Sequence, residues 1–140
     1  MQRLGMVSLV VRDYDEALAF YVGKLGFTLV EDSFVPEQNK RWVVVEPPGA
    51  SAATAVRGAQ LLLARAANEV QQSRIGNQTG GRVFLFLYTD DVWRDYHAYK
   101  AQGIEFVREP SEAPFGTAAV FKDLYGTLWD LVQPRLNGAG

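Results

Sequence analysis

Two stretches about 78 positions apart carry the same order of apolar and polar residues. In the first, Leu9-Val10-Val11 ends at Arg12-Asp13. A helix-like segment runs from Tyr14 to Tyr21, and Leu25-Gly26-Phe27 closes it. In the second, Leu87-Tyr88-Thr89 ends at Asp90-Asp91. The helix-like segment runs from Val92 to Tyr99, and Gln102-Gly103-Ile104 closes it. Solenoid and propeller units repeat every 20–50 residues or so. A longer period describes one half-domain made twice, and two such halves can close a cleft.

Leu4 to Val11 is apolar and valine-rich, which predicts a buried strand. Asp13 is placed to cap the following helix through its carboxylate, and Glu16 completes a pair resembling a capping box. Gly26 suits the left-handed turn that ends a helix. Further strands are predicted at 27–34, 41–46 and 60–64. The turn Pro36-Glu37-Gln38-Asn39 joins the first two, and Pro47-Pro48-Gly49 breaks the second. The second half repeats the order: a strand at 82–89, a helix at 91–102, then strands at 104–108, 117–121 and 128–133. Val92, Tyr96, Tyr99 and Gly103 share one side of that helix. This face packs on the outer side of a sheet and leaves the inner side for a ligand. The fold class is therefore α+β: two tandem βαβββ modules whose curled mixed sheets enclose a cleft. Residues 1–140 form a single domain with halves at about 1–65 and 82–134 and a polar linker at 66–81. That linker is long for a pure connection, which points to local order or a flap. Residues 135–140 read as a loose tail.

Composition excludes several functions. Apolar residues make up 48% of 140 and charged residues 21%, ordinary values for a globular protein. The net charge is −2 with no basic run, so no nucleic-acid partner is indicated. There is no cysteine, which removes disulfides and thiolate chemistry. No signal-like or membrane-length apolar run is present, so no membrane partner is indicated and a cytoplasmic location is the default.

The doubled β-α-β-β-β order is one part of a family likeness. The opening Val7-Ser8-Leu9-Val10-Val11-Arg12-Asp13 and the closing Phe121-Lys122-Asp123-Leu124-Tyr125-Gly126-Thr127-Leu128-Trp129-Asp130 are the other. Together they resemble the vicinal oxygen chelate superfamily of glyoxalases, bleomycin-resistance proteins and extradiol dioxygenases. The resemblance covers nearly the whole chain. It implies a homodimer and, in the enzymes, a divalent metal held by the first and last strands of each half. Carried over, those positions are Met6, Gln60, Phe84 and Asp130. Met6 and Phe84 each lie seven residues before the helix-capping Asp; Gln60 and Asp130 each precede a Leu in a closing strand. Divalent ions such as Mg, Mn and Fe(II) take hard oxygen or imidazole ligands. A thioether, a phenyl ring and a neutral amide do not supply them. The reading is no metal and no cofactor. The only histidine, His97, lies on the second helix beside Trp93 and reads as a stacked surface residue.

Strand alternation puts Arg82, Phe84, Phe86 and Tyr88 on one face, and Met6 with Ser8 on the matching face of the first half. With Gln60 and Asp130 they make an apolar, aromatic wall carrying a few polar groups, the mixture found in small-molecule sites. The same aromatics also fit a filled, purely structural cleft. Asp130, between Trp129 and Leu131, is expensive to bury unpaired. It reads as a base, as the partner of a cationic ligand, or as a strand-end acceptor of backbone N–H groups. It is the one candidate catalytic residue. The favoured function is metal-free binding of a small apolar or aromatic molecule. The alternative is a metal-dependent glyoxalase-type lyase, isomerase or dioxygenase with ligands not identified from the sequence, through a shifted register or a dimer partner that supplies them.

Overall fold

Asp13 and Asp91 start the two repeats in the same way. The computed structural model describes residues 1–49 and 58–135. In it both aspartates have extended backbone, and each carboxylate accepts the backbone N–H three residues on. Glu16 N donates to Asp13 at 2.9 Å and Arg94 N to Asp91 at 3.0 Å. These contacts satisfy donors that a helix N-terminus otherwise leaves orphaned.

The first of two units, Met1–Ile75, contains β1 (Met6–Val11), α1 (Tyr14–Tyr21), β2 (Thr28–Val35), β3 (Lys40–Glu46), β4 (Gln60–Arg65) and the short α2 (Glu69–Gln72). The second, from Gly76 onward, contains β5 (Leu85–Tyr88), α3 (Val92–Ala101), β6 (Phe106–Ala113), β7 (Gly116–Lys122) and β8 (Leu128–Pro134). The sheet orders are β1-β4-β3-β2 and β5-β8-β7-β6. In each, the opening strand runs parallel to the closing strand and the other pairings are antiparallel. The expected α+β class and the two repeated βαβββ modules are thus present.

The helices α1 and α3 each cover one face of their own sheet. Ala17, Phe20 and Tyr21 of α1 are buried, as are Leu9, Val43, Val45 and Leu63 of the sheet. In the second unit Tyr99 meets Phe121 edge-on at 5.4 Å, Tyr96 meets Phe106 at 4.6 Å, and Phe121 stacks on Trp129 at 5.9 Å. Burying aromatic area this way dominates core energetics, with edge-to-face geometry adding to it.

Several boundaries differ from expectation. β1 begins at Met6, and Leu4 is 78% exposed. β5 begins only at Leu85, although Phe84 N already donates to Leu128 O at 2.9 Å. β6 continues past Arg108 to Ala113, through Pro110. Proline cannot donate to a ladder, but β6 is an edge strand, where this is tolerated, and its register shifts on both sides of Arg108. The polar stretch 66–81 contains α2, capped by Asn68. Arg135 is not loose: its backbone N donates to Phe115 O and its guanidinium to Pro114 O and Ala113 O. The rest of the expected tail, 136–140, lies outside the described residues.

Gly76 is required by its surroundings. Its φ is 80°, and a Cβ there would lie 2.0 Å from Tyr125 O.

Candidate functional site

Ladder register sorts the sheet face opposite α3 into rows, because residues paired across strands point the same way. Phe86 on β5 opposes Asp130 on β8, which opposes Val120 on β7, which opposes Arg108 on β6. One row further on, Tyr88 opposes Val132, then Ala118 and Ser111. On the other side of the Asp130 row, Leu128 opposes Lys122. Phe86 is 60% and Tyr88 69% exposed, so neither fills a core.

A cavity of about 590 Å³ opens on this face, lined by Arg82, Val83, Phe86 and Asp130. Asp130 is only 8% exposed, and its Oδ1 is buried with no hydrogen-bond partner among the described residues. That oxygen accepts no backbone N–H, unlike the strand-end acceptor considered above. Burial pushes the Asp130 carboxyl above the usual carboxylate range, and the positive charge of Arg108 pulls the other way. Arg82 is exposed at the cavity edge, and it makes no ion pair with Asp130. A carboxyl with one free oxygen, an aromatic ring beside it and cations around it can hold a polar group on an apolar ligand.

The first unit arranges its candidates separately. Met6 opposes Gln60, whose Nε2 donates to Glu46 at 3.1 Å. Ser8 opposes Leu62, which opposes Val44, which opposes Glu31. Counted from the capping aspartates, Met6 corresponds to Phe84. Gln60 then corresponds to Leu128, and Leu62 to Asp130. Gln60 and Asp130 therefore share a face type but stand one row apart, a correction to their assumed equivalence. The Leu after each is a poor marker because both closing strands are apolar along most of their length. Glu46 is the residue that sequence reasoning missed. Its signal was the alternation Trp42, Val44, Glu46 ahead of Pro47.

These donors do not fit a divalent ion. Met6 places a soft thioether beside the Gln60 amide, the side chain of Phe84 has no donor, and Asp130 stands without a second carboxylate. No group of three His, Cys, Asp or Glu side chains gathers among the described residues. His97 lies on α3, on the opposite side from this face, with its ring 5.9 Å from Trp93 and 5.2 Å from Tyr96. Among the described residues no helix is long and apolar enough to cross a membrane.

A family model described as the Glyoxalase/Bleomycin resistance protein/Dioxygenase superfamily matches residues 3–131. A protein of Shewanella frigidimarina is 58% identical over 132 residues, covering 94% of this chain and 93% of its own. YurT of Bacillus subtilis is 33% identical over 135 residues, covering 94% and 98%. Among solved structures, TnmS3, described as an antibiotic binding protein from Streptomyces sp. CB03234, superposes with a TM-score of 0.76. It is 29% identical to this chain, with coverage of 96% and 98%.

Proposed function

Starting from the fact that the chain belongs to the glyoxalase/bleomycin resistance/dioxygenase superfamily, we propose that it binds and sequesters a small apolar or aromatic molecule without a metal. The observation that carries this is the cavity where the exposed ring of Phe86 stands beside the unpartnered Asp130 oxygen, with Arg82 at the edge. Exposed aromatic area beside a few polar groups is the composition of a ligand wall. The likeness to TnmS3, described as an antibiotic binding protein, supports the same class of function. In this reading Phe84 and Tyr88 extend the wall within the second unit, and Met6, Ser8 and Gln60 are the corresponding ligand-facing positions of the first. The chain works, in the same reading, as a cytoplasmic homodimer.

The test is a thermal-shift screen of planar aromatic compounds run beside metal analysis of the purified protein. A dose-dependent rise in Tm with aromatics, and well under one divalent ion per chain, is the expected result. Stoichiometric Zn, Mn, Ni or Fe that survives dialysis overturns it in favour of a metal-dependent lyase, isomerase or dioxygenase.

A further inference from the structure

Asp130 has a buried oxygen with no hydrogen-bond partner among the described residues, and the cavity lies against it. Buried acceptors are almost always partnered, so an orphan beside an open cavity marks the place of a donor supplied from outside. The charges around Asp130 restrict what that donor can be. Arg82 lines the same cavity. Arg108 stands in the same row two strands away, about 10 Å by strand spacing. Lys122 stands one row along, 3.6 Å from Glu105. Lys122 is thus paired and adds little net charge, but a cationic ligand at Asp130 would meet the positive charges of Arg82 and Arg108. A neutral donor would not, and an oxygen next to that donor would find Arg82.

We propose that the Asp130 carboxylate accepts a hydrogen bond from the hydroxyl of a neutral planar aromatic ligand, of phenol or enol class, lying against Phe86 with its acceptor edge toward Arg82. This rests on the binding function proposed above and names its ligand class. It also replaces a cationic partner, which the carboxylate alone would have suggested.

The experiment uses the full chain and three probes sharing one ring system: β-naphthol, its methyl ether and naphthylmethylammonium. Dissociation constants come from calorimetry at neutral pH. β-Naphthol should bind at least about tenfold tighter than the ether, the low end for a hydrogen bond to a charged acceptor. The ammonium should bind no tighter than the ether. Asp130→Leu should bring naphthol and ether within about twofold of each other. Asp130→Asn keeps the shape and a weaker acceptor. It should lower the preference several-fold, and it decides the matter if the leucine variant fails to fold. Equal affinities for all three probes in the native chain would overturn the hydroxyl assignment and leave the aromatic pocket standing. Tightest binding of the ammonium would overturn it in favour of charge pairing. No binding of any probe would overturn the pocket and the hydroxyl assignment together.

Discussion

The carboxyl of Asp130 also has a thermodynamic signature. Its proton is held more tightly in the folded chain than in the unfolded one, because burial disfavours the charge. The folded state then binds more protons over the interval between the two values, and stability falls as pH rises through it. Above that interval the full penalty is present; below about pH 4 it is absent. Asp130→Asn should therefore be more stable than the native chain at neutral pH, with the gain shrinking toward zero as pH falls to about 4. Urea melts across pH 3.5–8 measure this. A gain that does not change with pH would show that the charge is not its source. Gly76 gives a prediction of opposite sign. Gly76→Ala must force a Cβ into the Tyr125 carbonyl at a left-handed position. The added strain and overpacking should cost about 2 kcal/mol or more, read as a lower denaturant midpoint at unchanged m.

Among the elements, the helices were the most legible in the sequence. A capping Asp, an apolar face and a terminal Gly are local signals, and each acts within one turn. The sheet edges were less legible because Pro110 reads as a breaker unless the strand is known to be an edge. Register was the least legible. The pairings of Gln60 with Met6, and of Asp130 with Phe86, are non-local facts that no neighbouring residue announces. The candidate site was read as a list of residue types on the right faces, while its arrangement in rows came only from the ladder. Glu46 illustrates the gap, since its meeting with Gln60 depends on how β3 aligns with β4. That register can be tested directly. Met6→His with Gln60→Glu should place an imidazole and a carboxylate beside Glu46, a donor set that suits Zn or Ni. The double variant should bind Zn with roughly one ion per chain in calorimetry, while each single variant binds far more weakly. A double variant no better than the singles would mean that the three positions do not converge.

At the scale of the whole molecule, Met6 in the first unit and Phe86 with Tyr88 in the second expose apolar surface of a kind that proteins in water ordinarily cover. In the function proposed above, ligand covers part of it and a second copy would cover more. Light scattering at tens of micromolar should give about twice the mass of one chain, and a monomer there would remove the dimer without touching the pocket. Parallel pairing of first and last strand has a kinetic meaning of its own. Among the described residues of each module, the opening strand has no hydrogen-bonded neighbour in its sheet until the closing strand arrives, since β1 pairs there only with β4 and β5 only with β8. The helix and the antiparallel meander can form early from nearby chain. The opening strand must wait for a long loop to close. Refolding should therefore show amide protection on β2–β3 and β6–β7 before protection on β1 and β5, so that in each module the strand carrying the proposed ligand-facing side chains is the last to be assembled.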